Sequence, residues 1–192
     1  MPKGFERISG GVTAAAGFSA NAVSCGIKNP RAKRTDLALI KSDFPTTTTA
    51  SFTTSRIKAA PVRVSQQHMR TNGIRAIIAN SGNANACTGP RGIGDAKVMA
   101  RATSAALGIE EHQVLVCSTG LIGYHLPIEV ISAGIPELAG ALSTHGGPAA
   151  AEAMRTTDTV AKTTLASGDG FVVGGIAKGA AMLEPNMATM LA

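Results

Sequence analysis

The scarcity of aromatic side chains constrains this chain most: 192 residues contain five Phe, one Tyr and no Trp. A core made without rings must be filled by Ala, Val, Ile, Leu and Met, and small side chains fill space only where layers lie close together. A globule of this length buries roughly 70% of the surface its unfolded chain exposes, so one domain can hold itself together without staples. Hydrophobic residues make up 44% and charged residues 16%, which suits a folded domain and argues against a disordered tail. The missing rings also count against single-stranded nucleic-acid platforms, which stack bases on aromatic faces.

Charge is unevenly distributed. Residues 1–75 carry twelve Lys and Arg against three Asp and Glu, and residues 76–192 carry six against nine. A basic half can face nucleic acid, an acidic partner or anionic substrates. A solvated surface is the plainer reading. The densest cluster, Lys28 to Arg34, contains Pro30 and reads as a loop rather than a recognition helix. No apolar run approaches 18 residues and no secretory signal opens the chain, so the expectation is a cytoplasmic protein without membrane or nucleic-acid partners. The odd count of cysteines (Cys25, Cys87, Cys117) excludes a complete disulfide framework.

Patterning gives alternating short elements. Residues 11–41 read as strands broken by Gly17 and the basic loop, and Thr46–Ser55 as a strand or hairpin by composition. Pro61 opens a helix to Met69. Ile74–Ala79 is a buried-type strand running into a polar loop, Asn80–Gly89. Asp95 is expected to cap a helix that ends at Leu107 with Gly108 beyond it. Val114–Cys117 is a strand ending in the turn Ser118-Thr119-Gly120. Two helices, about 127–133 and 136–143, are expected on either side of Gly134 and Pro136. Pro148 opens another to Met154, and a hairpin turns at Gly168–Gly170. Some neighbouring strands are hairpin-linked, so the class is α+β with layered sheets.

Candidate chemistry is sparse. Gly89–Gly94 precedes a helix but lacks the Gly-Lys-Ser/Thr of a phosphate loop. His68, His112, His125 and His145 have no metal-ligand spacing, so no metal is expected. Cys87 and Cys117 fall among small residues at strand ends and suit buried small hydrophobes. Hydroxyls remain. Ser118-Thr119-Gly120 lies where a strand meets a turn, which can aim two backbone groups at one point. Thr189 follows Pro185, Asn186 and the small Ala188. A Thr hydroxyl needs an adjacent base, and its own freed α-amine, titrating near 7.7–8.0, is one solution. That solution requires cutting the bond before it.

Six stretches resemble the ornithine acetyltransferases (glutamate N-acetyltransferases). They are Gly11-Val-Thr-Ala, Lys58-Ala-Ala-Pro-Val62, NSGNANACTG at 80–89, CSTGLIG at 117–123, RTTDT at 155–159 and GGIAKGAAMLEPNMATML at 174–191. They run in family order along nearly the whole chain. The resemblance implies a layered α/β/β/α sandwich like that of N-terminal-nucleophile acyltransferases, of which this chain is the α-chain portion. It implies self-cleavage between Ala188 and Thr189, so that residues 1–188 are the α chain and 189–192 begin a β chain. Thr189 would then be the nucleophile and a substrate contact, Thr119 and Gly120 the oxyanion hole, and Thr156 and Lys178 substrate-binding residues. The reaction implied moves acetyl from N2-acetylornithine to glutamate in arginine biosynthesis, with no cofactor, and with acetyl-CoA left open as a second acetyl donor. The implied partner is the enzyme's own C-terminal β chain, in an α2β2 heterotetramer, and this chain alone is expected to be inactive. Two other readings stand beside it: an N-terminal-nucleophile amidohydrolase or aminopeptidase, and a non-catalytic basic binding module.

Overall fold

The computed structural model describes residues 6–7, 11–31, 34–179 and 190–192. Its centre is a four-stranded sheet in the order β2 (Phe18–Val23), β3 (Leu37–Thr46), β4 (Ile74–Asn83), β5 (Val114–Leu121). The first three strands pair antiparallel, and β4 pairs parallel with β5. A parallel pair needs a long crossover, and helix α2 (Gly89–Leu107) supplies it.

Strand alternation sorts side chains to two faces. Leu37, Leu39, Ala76, Ile78, Val114 and Val116 face α1 (Ala60–His68), α2 and α3 (Ile128–Gly140) and form the main core with Val64, Met99, Ile131, Ile135 and Leu138. Ala20, Ala38 and Ala79 face the other way, onto the alanines and Met154 of α4 (Gly147–Met154) and onto Ile176. Ile176 belongs to β7 (Phe171–Ala177), which forms a hairpin with β6 (Lys162–Gly168); β1 (Glu6–Arg7) completes that smaller sheet in the order β1-β6-β7. Helices, sheet and second sheet thus follow as layers, the α+β order expected. Among the described residues every buried hydrophobic side chain is aliphatic or Met, as the composition requires. No described helix is long and apolar enough to cross a membrane.

Several local expectations are corrected. α2 begins at Gly89, six residues before Asp95, because Pro90 in its first turn has no N–H to leave unpaired. Asp95 lies inside the helix, where Oδ2 is buried without a hydrogen-bond partner and burial raises its carboxyl pKa. α3 is one helix with Pro136 within it. Ile131, Ile135 and Leu138 are fully buried at i, i+4, i+7. Burying three large aliphatics at roughly 1.5–3 kcal/mol each outweighs about 3 kcal/mol for an interior proline. Residues 47–55 carry no strand, since β-branched composition alone does not supply a sheet edge to pair with. β4 and β5 both outrun their expected ends, so Asn80–Asn83 and Ser118–Leu121 are strand rather than loop and turn.

Residues 28–31 of the basic cluster lie in neither helix nor strand, as expected, and Asp36 organises the chain leading into them. Its fully buried carboxylate accepts the backbone N–H groups of Cys25 (2.7 Å), Ile27 (2.6 Å) and Lys28 (3.2 Å). Asp36→Ala strands three donors at once and is expected to cost about 3 kcal/mol, read as a lowered urea midpoint with an unchanged m-value.

Candidate functional site

β4 and β5 meet with Ser81 opposite Thr119 and Gly82 opposite Gly120, and the register shifts at Gly82–Asn83. Gly120 has φ +136°, and a Cβ there would lie 2.3 Å from the Gly82 carbonyl carbon and 2.5 Å from the Asn83 nitrogen. Only glycine fits this position. The neighbouring Thr119 is fully buried.

The NSGNANACTG block braces this crossing. Ser118 Oγ donates to Asn80 Oδ1 (2.6 Å), and Asn80 Nδ2 to the Asn83 carbonyl (2.9 Å). Asn83 Nδ2 donates to the His125 carbonyl, and Asn85 Nδ2 to the Gly92 carbonyl, both at 2.9 Å. Thr88 Oγ1 donates to Asn85 Oδ1 at 2.7 Å. Four asparagine and threonine side chains in this block are therefore buried because each has partners. The Gly89–Gly94 segment is the first turns of α2, held by this network.

Lys178 follows β7 and is 3% exposed. Its Nζ donates to Thr119 Oγ1 at 2.9 Å, and its backbone forms a single antiparallel bridge with Leu191: Lys178 N–H to Leu191 O is 2.8 Å, and the return bond is 3.4 Å. Burial lowers the Lys178 pKa, partly opposed by the Asp158 carboxylate and reinforced by the Lys162 ammonium. A solvated lysine at the end of a strand is thus not what this position holds. Thr156 sits half-buried in the turn between α4 and β6. Two residues on, Asp158 Oδ2 accepts the backbone N–H of Gly179, beside Lys178, at 3.0 Å. Thr119, Gly120, Lys178 and the Thr156 turn are therefore drawn together. Ala188 and Thr189 lie outside the described residues.

Arg155 and Asp158 were not singled out from sequence, though both lie in the RTTDT stretch; their signal was a guanidinium and a carboxylate three residues apart in a segment too polar for either element beside it. Cys25 and Cys117 are not thiolates. Burial pushes Cys25 and Cys117 up to about 11, with Asp36 and Glu137 adding to the rise at Cys25. Cys87, expected buried, is exposed. His68 is buried, with Nδ1 2.7 Å from the Val114 carbonyl, and among the described residues no three His, Cys, Asp or Glu side chains gather as metal ligands do. The basic half is partly turned inward. Lys28 Nζ donates to the carbonyls of Thr35 and Ala153, and burial, then Arg34, lowers its pKa to about 8.

A model of the ArgJ family matches residues 19–192. The arginine biosynthesis bifunctional protein ArgJ of Streptomyces coelicolor is 48% identical over 94% of this chain and 47% of its own length. That of Synechococcus is 49% identical over 100% of this chain and 47% of its own length. The chain spans about half the length of the curated relatives it matches. Among solved structures, ornithine acetyltransferase of Mycobacterium tuberculosis, complexed with ornithine, superposes with a TM-score of 0.87 at 41% identity, covering 97% of this chain and 100% of that one. The ArgJ protein of Bacillus halodurans gives 0.85 at 39% identity, covering 97% and 98%. Identity near one half along the whole sequence, with the same arrangement of layers, leaves one assignment: the chain belongs to the ArgJ family.

Proposed function

We propose that this chain is the α-chain portion, residues 1–188 with 189–192 opening the β chain, of a glutamate N-acetyltransferase of arginine biosynthesis. The observation that carries the reading is the Lys178 ammonium on Thr119 Oγ1, beside the bridge from Lys178 to Leu191. It joins two of the residues assigned to the site to Leu191, two residues past Thr189. The names of the relatives, and the ornithine in the related acetyltransferase structure, support the substrate class.

In this reading the Thr189 hydroxyl attacks the Ala188 carbonyl, the peptide bond gives way to an ester, and water opens it. The freed α-amine then takes the hydroxyl proton as the oxygen attacks the acetyl group of N2-acetylornithine. Negative charge develops on the acetyl oxygen. A donor fixed in advance by Thr119 and Gly120 is worth about 10²–10³ in rate, roughly 3–4 kcal/mol. Ornithine leaves, glutamate enters and accepts the acetyl group, which makes the kinetics ping-pong. Thr156 and Lys178 hold the amino-acid part of both substrates, and acetyl-CoA is a second donor to be assayed. The partner is the β chain, in an α2β2 assembly.

The deciding assay follows ornithine release by the complete gene product. Release that depends on glutamate, with parallel lines on varying both substrates, is expected; release at the same rate without glutamate would make the protein a hydrolase and overturn the reading. In the same assay Lys178→Ala is expected to raise KM for both amino acids about 100-fold, the loss of a charged hydrogen bond worth about 3 kcal/mol. Unchanged KM values would remove Lys178 from substrate binding.

A further inference from the structure

The turn between α4 and β6 contains a charged device that the acetyl-transfer chemistry does not use directly. Arg155 anchors it. The guanidinium donates to the Glu152 carboxylate (2.9 Å to Oε2) and, through Nη1, to the carbonyls of Asp158 (2.8 Å) and Thr159 (3.0 Å). Behind it, Ser81 Oγ and Lys28 Nζ both donate to the Ala153 carbonyl, so the end of α4 is fixed against β4 and the basic loop. Asp158 is presented from this anchored turn. Its side chain is 9% exposed; Oδ2 accepts the Gly179 N–H and Oδ1 accepts from Lys162 Nζ.

We propose that Asp158 is a positioning residue for Lys178, holding the peptide that follows the lysine and supplying a negative charge that favours its ammonium form. The inference rests on the acetyl-transfer reading for what Lys178 does, and on the geometry alone for how Lys178 is held. Three restraints converge on one lysine: Thr119 at its tip, Leu191 along its backbone and Asp158 at the next peptide. A lysine this buried loses hydration, and desolvation favours its neutral form. Among the described residues two charged groups bear on it, Asp158 from the turn and Lys162 from β6, with opposite signs; β5 contributes the uncharged Thr119 hydroxyl. Asp158 also takes a hydrogen bond from Lys162, which damps a cation that opposes protonation of Lys178. A turn that only closed the chain would need the Gly179 hydrogen bond and not the charge.

Asp158→Asn separates the two, since the amide oxygen still accepts the Gly179 N–H while the charge is gone. The experiment is carbon NMR of the complete enzyme labelled at lysine Cε, with the Lys178 resonance identified by its loss in Lys178→Arg. In Asp158→Asn the Lys178 midpoint is expected to fall by about one pH unit. In Lys162→Met, which removes the like charge, it is expected to rise. The alkaline limb of kcat/KM should move down with Asp158→Asn by the same amount. A Lys178 midpoint identical in wild type and Asp158→Asn would overturn the proposal, and so would a shift in Asp158→Asn with an unmoved alkaline limb. The resonance needs no turnover, so a shifted midpoint in an enzyme that transfers no acetyl would support the positioning role and reject the acetyl-transfer reading.

Discussion

Gly120→Ala is expected to lower acetyl transfer by at least 10²–10³-fold and to destabilise the protein by about 3 kcal/mol or more. Two costs add. A φ of +136° lies outside what an alanine adopts without strain, and its Cβ would stand 2.3 Å from a carbonyl carbon of β4. The atom in the way is backbone, not the end of a flexible side chain, so β4 and β5 must part for the methyl group to fit. Parting them displaces Thr119 and the Lys178 contact together. Gly123→Ala is the control: its φ is +88° but nothing lies within 4 Å of the added carbon. It is expected to lose about 1 kcal/mol for the backbone alone and to keep most of its rate. Denaturant midpoints and kcat on both variants check this, and an active, stable Gly120→Ala would show that the strand crossing does not fix the site.

The second large effect belongs to Thr189. Thr189→Ala in the complete gene product is expected to leave the polypeptide uncut and to abolish acetyl transfer, because one oxygen serves both steps. Thr189→Ser retains a hydroxyl and an N-terminal amine and is expected to cut and turn over slowly. Cys25 and Cys117 are poor candidates for an alternative nucleophile, since burial keeps both protonated at neutral pH. A cut, active Thr189→Ala would place the nucleophile elsewhere.

Much of the architecture was legible because hydrophobic spacing decides it. Ile74–Ala79, the helix ending at Gly108, the helix opened by Pro61 and the hairpin at Gly168–Gly170 all have a local cause that no later packing reverses. The misread elements are those where packing overrides a local signal. Pro136 reads as a break until three aliphatics on one face are known to be buried, and the glycines of Gly89–Gly94 read as a turn until Asn85 of the preceding block is seen to hold the Gly92 carbonyl. The site was legible in part. Thr119, Gly120, Thr156 and Lys178 come from the resemblance; the structure joins Lys178 to Thr119 and, through Asp158, ties the turn that carries Thr156 to Gly179. The burial of Lys178 and the Asp158 bond to Gly179 depend on contacts between residues far apart in sequence, which no spacing rule reports.

The central claim is that Thr189 becomes an N-terminal nucleophile facing Thr119, Gly120 and Lys178, and intact mass with N-terminal sequencing of the complete gene product tests it most directly. The expected result is two polypeptides, one ending at Ala188 and the other beginning at Thr189, with acetyl transfer appearing alongside them. A polypeptide that stays whole while turning over substrate, or that divides at another bond, would contradict the account.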